Sequence, residues 1–211
     1  PVQEKKKKDD EGKFFYMLDK SKEGNSILLS YQGNAACEVS FSPREKISLL
    51  DLEEKGTGFQ QKFIIRGKIK KQAFRLEAIQ WKGVDRIEFR LHSKGLDGII
   101  LKPLIEVSQS FINYPFGIEE TKRTRIQTLD FLWLKGRDEG MLFTQFNAQL
   151  LNINRDTLEV QANLFKDALY EFSLVFTKKS QFHEIYQLKT EYFHPLMGVT
   201  FRGRVDSSKC T

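Results

Sequence analysis

The sequence is short of the residues that build stapled or metal-bound folds: 2 Cys, 3 His and 5 Pro in 211 positions. Cys37 lies in a strand-like run and Cys210 stands beside the C-terminus. No two Cys or His share a short ligand spacing, so neither a disulfide framework nor a zinc pattern can be laid out. Cys37 is expected to be a small buried hydrophobe. Long apolar runs are missing too. None approaches the roughly 20 residues that cross a bilayer as a helix, so no membrane partner is expected. The first dozen residues hold no hydrophobic segment of the kind a secretory leader needs. The chain opens on Pro1 rather than Met, so that lack says little about a longer parent, and the compartment stays open. Also missing are the Gly-x-Ser-x-Gly elbow, the phosphate-binding loop and the dinucleotide glycine pattern.

Positive charge is in modest excess, +6 from 34 Lys and Arg against 28 Asp and Glu. Its distribution disfavours a nucleic-acid partner. Lys5 to Lys8 are balanced by Glu4, Asp9, Asp10 and Glu11. The remainder is spread over Lys68, Lys70 and Lys71, Lys122, Arg123 and Arg125, and Arg202 and Arg204. Spread charge of this kind marks a solvated surface.

What the chain has in plenty is phenylalanine, 18 copies, many at alternate positions such as Phe172, Leu174 and Phe176. That period of two is the mark of a strand with one face buried. Residues 1–12 are charged and aperiodic and read as an arm or linker. Residues 13–200 read as the domain and 201–211 as a tail. Strands are expected at Phe14–Leu18, Ser26–Tyr31, Ala36–Phe41, Phe59–Gly67, Ala73–Trp81, Val84–Leu91 and Gly98–Val107. Further candidates are Arg125–Leu134, Gly140–Leu151, Leu158–Phe165 and Tyr170–Thr177, while Lys46–Leu52 fits either a strand or a short helix. Ile87, Phe89 and Leu91 alternate with Arg86, Glu88 and Arg90, and Lys82-Gly83 is a plausible hairpin turn. Only Ser180–Glu191 has helical spacing, through Phe182, Ile185, Tyr186 and Leu188. The expected fold is all-β, an antiparallel β-sandwich (supersandwich-like) with little helix.

Candidate chemistry is sparse. His92, His183 and His194 stand apart and read as satisfied or exposed side chains. A glycosidase needs two carboxyl groups across the scissile bond. Asp130 and Glu119–Glu120 could supply carboxylates, but acids near turns more often stabilise the turn. Trp81, Tyr114, Trp133, Tyr170 and Tyr192 are spread over several elements, and an aromatic ring can stack on the apolar face of a sugar. Gln145, Asn147 and Gln149 alternate opposite Phe146, Ala148 and Leu150. Such a stripe is either a solvated strand face or a ligand surface.

The stretch from Asn113 to Met141 carries a more specific signal. Tyr114-Pro115-Phe116-Gly117 is a breaker between two strands, with Pro fixing φ and Gly free of a side chain. A charged stretch with Arg123 follows, then Gln127 and Asp130, then Gly140-Met141-Leu142-Phe143, and the region closes on His194-Pro195-Leu196. Val84 to Phe89 and Gly98 to Val107 lead into it. In this order the pieces, over about residues 84–200, resemble the C-terminal β-domain of glycoside hydrolase family 38, the α-mannosidases.

The resemblance implies a parent that cleaves α-mannosides with retention. Its zinc ion and nucleophilic Asp would lie in an N-terminal catalytic domain, which would be this chain's partner. The chain itself would hold no cofactor and no catalytic residue. It would pack on the catalytic domain and help shape the sugar site, with Tyr114, Arg123, Gln145 and Asn147 as contacts to a mannoside or to that domain. Two other readings stay open: a free-standing β-sandwich that binds glycans or proteins, and a nucleic-acid-binding β-domain, which would need its Lys and Arg to converge on one face.

Overall fold

The computed structural model describes residues 12–42, 47–69, 72–93, 96–114, 117–122, 125–126, 131–145, 151–154, 158–163 and 169–178. Every regular element among them is a strand. In chain order these are β1 (Tyr16–Lys20), β2 (Ser26–Tyr31), β3 (Asn34–Ser42), β4 (Ile47–Gly56), β5 (Gln60–Ile69), β6 (Gln72–Trp81), β7 (Ile87–Ser93) and β8 (Gly98–Pro103). They continue as β9 (Gln109–Tyr114), β10 (Gly117–Glu120), β11 (Arg125–Ile126), β12 (Phe131–Lys135), β13 (Glu139–Gln145), β14 (Leu151–Asn154), β15 (Glu159–Asn163) and β16 (Leu169–Lys178).

The strands form two antiparallel sheets, ordered β1-β2-β3-β8-β15-β14-β11 and β10-β9-β12-β13-β16-β7-β6-β5-β4. Alternate residues of both contribute to one apolar core. Phe41 of the first sheet meets Phe74 of the second at 4.9 Å between ring centres, and Tyr31 stacks on Phe176 at 5.8 Å. This is the expected β-sandwich. The expected helix at Ser180–Glu191 lies outside the described residues.

Most strands fall where period-two alternation puts them. In β7, Ile87, Phe89 and Leu91 are buried, while Glu88 and Arg90 alternate with them on the outer face. The turn before β7 contains Gly83 at φ 75°, a backbone state that glycine reaches without steric cost. The turn joining β2 to β3 has positive φ at both Gln32 (50°) and Gly33 (84°). Two such residues in succession define the primed hairpin turn whose twist suits antiparallel strands.

The ambiguous segment Lys46–Leu52 resolves as a strand. A register shift between Leu49 and Asp51 spoils its alternation, as a bulge does. Two long expected strands are broken. Arg125–Leu134 gives β11 in one sheet and β12 in the other, and Gly140–Leu151 gives β13 and the first residue of β14. The Tyr114 to Gly117 breaker links β9 and β10, whose register pairs Tyr114 with Gly117. Pro115 and Phe116 themselves lie outside the described residues.

Candidate functional site

At one end of the sandwich the β2–β3 turn approaches the start of β13 and the end of β16. Between them is a cleft of about 60 Å3, lined by Tyr31, Gln32, Asn34, Glu139, Thr177 and Lys178 among others. Partly open to solvent, it has room for waters or the edge of a polar ligand. Behind it the Tyr31 hydroxyl donates to Asp85 Oδ2 at 2.8 Å, and the Tyr16 hydroxyl donates to Asp85 Oδ1 at 3.3 Å. The Phe176 backbone N–H donates in turn to the Tyr16 hydroxyl at 3.3 Å. Strand β7 begins only at Ile87, opposite Leu174, so the tyrosine oxygen serves Phe176 where the strand ladder has stopped. Burial, reinforced by the Asp85 charge, pushes the Tyr16 hydroxyl well above its ordinary range. It stays protonated at neutral pH and works as a hydrogen-bonding post, not as a base.

Of the residues expected to contact sugar, Tyr114 and Gln145 are described, and both stand away from this cleft. Glu139 starts β13 at the cleft, and Gln145 ends the same strand. The register sets Ile112, Leu132 and Phe143 in one row across β9, β12 and β13. Tyr114 and Gln145 both lie two residues beyond that row, at the same end of the sheet, on strands flanking β12. Gln145 is buried, and its Oε1 accepts a hydrogen bond from the Tyr170 hydroxyl at 2.7 Å. Its amide therefore faces the interior rather than a solvated or ligand-facing stripe, because a neighbouring strand supplies its partner. Arg123 and Asn147 lie outside the described residues, as do Asp130, His183 and His194. His92 is exposed, and Cys37 is buried with its thiol pushed upward by that burial.

Among the described residues no group of three His, Cys, Asp or Glu could hold a metal ion. No described helix is long and apolar enough to cross a membrane.

The outer face of the nine-stranded sheet has two contrasting halves. Over β4 to β7 and the adjoining part of β16 it carries paired charges set around the buried Ile64 and Ile79. Lys62 and Arg75 both meet Glu77, at 2.7 and 2.5 Å. Arg66 bridges Asp51 and Glu53, and Arg90 meets Glu171 at 3.0 Å. Cations interleaved with acids are not the one-signed face that a nucleic acid needs.

Burial pushes the Glu77 carboxyl upward, but Lys62, Arg75 and His92 outweigh it and hold it below the ordinary range. A carboxyl held down in the folded state stabilises the fold above its unfolded pKa of about 4.3. Glu77→Gln should cost about 1 kcal/mol at pH 7. The gap to the parent chain in urea unfolding should close as the pH falls below 4.3 and through the folded titration. An unchanged gap at low pH would contradict this account.

Across β9, β12, β13 and β16 the same outer face carries one apolar row, with Thr144, Ser173 and Thr177 beside it. Phe111, Trp133, Leu142 and Val175 are cross-strand partners in a single row, separate from the main core. The Phe111 and Trp133 rings are 5.2 Å apart, and Lys135 Nζ lies 5.8 Å from the Trp133 ring. A Cβ at Gly140 would come within 2.9 Å of the Trp133 indole nitrogen, so the missing side chain at that position makes room for the indole.

The sequence matches no family model and no curated protein. Solved structures do match in fold. A protein in glycosyl hydrolase family 38 from Enterococcus faecalis aligns over 82% of this chain at 7% identity with a TM-score of 0.62. An α-mannosidase from Enterococcus faecalis V583 aligns over 82% at 6% identity with a TM-score of 0.60. The α-N-acetylgalactosaminidase NagBb from Bifidobacterium bifidum aligns over 84% at 9% identity with a TM-score of 0.52. The alignments cover 31%, 30% and 37% of those chains respectively. The chain thus has a β-sandwich fold shared with glycoside hydrolases, and it spans about a third of their length.

Proposed function

We propose that this chain is a non-catalytic β-sandwich domain of a larger α-mannosidase-like glycoside hydrolase. The observation that carries the proposal is the fold likeness to two family 38 structures over 82% of this chain but only 30–31% of theirs. The ordered motifs from Val84 to Leu196 support the same family. In this reading an N-terminal catalytic domain supplies the zinc and the nucleophile, and the sandwich braces it. Tyr114, near the end of the sheet that also holds Gln145, is a contact to that domain or to the mannoside, together with Arg123 and Asn147. Gln145, held by the Tyr170 hydroxyl at the same end of the sheet as Tyr114, supports that contact.

The test is the size and sequence of the native polypeptide. Several hundred residues before this domain, carrying Asp and His able to ligate zinc and a further Asp nucleophile, are the expected result. A native polypeptide that begins near Pro1 would overturn the proposal.

The cleft favours one second reading, a free-standing module that binds polar ligands. A half-buried tyrosine is held there beside Gln32, Asn34 and Glu139. Mannose or mannan binding by the isolated chain that is lost in Tyr31→Ala but retained in Tyr114→Ala would favour that reading.

A further inference from the structure

Among the described residues the exposed large apolar side chains are Met17, Phe59, Val84, Leu104 and Leu169. Scattered singly they would be ordinary surface, but all except Leu169 gather at the cleft end of the sandwich. Phe59 stands in the turn between β4 and β5, and Val84 in the turn between β6 and β7. The Lys82 N–H, two residues before Val84, donates to the Phe59 carbonyl at 2.9 Å. Met17 lies near the start of β1, opposite Ser30. Leu104 follows β8, and its N–H donates to the Ala36 carbonyl at 2.9 Å. The Tyr31–Asp85 hydrogen bond ties the β2–β3 and β6–β7 turns together at this end. Leu169 is at the other end, opposite His92.

We propose that this end, with Phe59 as its anchor, docks on the catalytic domain of the parent, an inference that rests on reading the chain as one domain of a larger glycosidase. Two observations choose that occupant. The chain enters the described fold here, where the Lys13 carbonyl accepts from the Gly83 N–H at 3.0 Å. A polypeptide arriving from an N-terminal domain therefore reaches the sandwich beside Val84 and Phe59. The larger part of the family 38 chains that share the fold lies outside the match, which supplies a partner bigger than the sandwich. Phe59 is also built to be presented. The Thr57 hydroxyl accepts from the Phe59 and Gln60 N–H groups at 3.4 and 3.1 Å, and the Thr57 N–H donates to the Gln60 carbonyl at 2.7 Å. A turn held in this way leaves the 81% exposed ring little freedom to lose on docking. The polar cleft opens at the same end, and apolar anchors beside hydrogen-bonding groups are what an interface between domains uses. Tyr114 stands at the opposite end of the larger sheet, so any contact it makes is a second and separate one.

The test is maleimide labelling of single introduced cysteines, in this chain alone and in the full-length parent. Cys210→Ser removes the tail thiol, and Cys37 is buried. Phe59→Cys and Val84→Cys should react several-fold more slowly in the parent than in the chain alone, while Leu169→Cys reacts at the same rate in both. Equal rates at Phe59→Cys in a parent that does hold a catalytic domain would overturn this inference and leave the domain reading standing. Protection at Leu169→Cys in place of Phe59→Cys would do the same. Slow labelling of Phe59→Cys in the chain alone, growing with protein concentration, would overturn it by assigning the surface to a second copy. A native polypeptide with no further domain would overturn both.

Discussion

Phe172→Ala is expected to lower the stability of the folded chain by about 4 kcal/mol, read as a shift of the urea midpoint at unchanged slope. Phe172 is fully buried in β16, between β13 and β7 near the middle of the larger sheet. It pairs across strands with Phe89, and the two rings are nearly parallel at 4.7 Å. Phe143 and Tyr170 close around it at 5.8 and 5.6 Å. Truncation forfeits the transfer of a whole ring and leaves a hole bounded by strands on both sides, which cannot collapse into it. The Tyr170 hydroxyl that holds Gln145 is part of the same cluster, so the loss should also loosen the end of β13. Phe59→Ala removes a ring that is 81% exposed and should be close to neutral. Equal effects of the two substitutions would contradict the packing described.

Gln80→Leu should cost about 3 kcal/mol although the shape is nearly conserved. The Gln80 amide is fully buried and every polar atom of it is used. Its Oε1 accepts from the Phe15 and Tyr16 backbone N–H groups at 3.2 and 3.0 Å. Its Nε2 donates to the Tyr16 carbonyl at 2.6 Å and to Gln61 Oε1. A side chain of one sheet thus hydrogen-bonds the edge strand of the other as a neighbouring strand would. Leucine restores the packing and leaves those Phe15 and Tyr16 backbone groups without the Gln80 partner in a dry place, at about 1–3 kcal/mol for each buried group. Hydrogen exchange should localise the effect, with Phe15 and Tyr16 amides exchanging much faster while β13 and β16 stay protected. Unchanged protection at Tyr16 would contradict this role.

The strands were legible because one face of each is buried and the other is wet, which writes a period of two into the sequence. Legibility fails where that rule is suspended. In β4 the register shift beside Leu49 sets two leucines in succession, so Lys46–Leu52 fits helix and strand alike. In β9 an inward position is held by Ser110, which is buried despite its hydroxyl, so the alternation is faint. At Trp133 and Leu142 both faces of a strand are apolar, and alternation cannot tell the inner face from the outer.

The candidate site was harder for the same kind of reason. Gln145 and Gln80 are polar residues at interior positions, made tolerable by partners on other strands, and a single-strand pattern cannot show a partner. The Asp85 cluster joins Tyr16, Tyr31 and a turn residue far apart in sequence. Its one sequence signal was the turn before β7, which brings Asp85 to the end of the sandwich.

The most direct test of the central claim is hydrolysis of an aryl α-mannoside by the intact parent polypeptide, by the parent lacking residues 13–178, and by this chain alone. The account predicts turnover with retained anomeric configuration in the intact polypeptide, a large loss on removing the sandwich, and none from the isolated chain. Full activity without the sandwich, or an intact polypeptide inert towards α-mannosides, would contradict it.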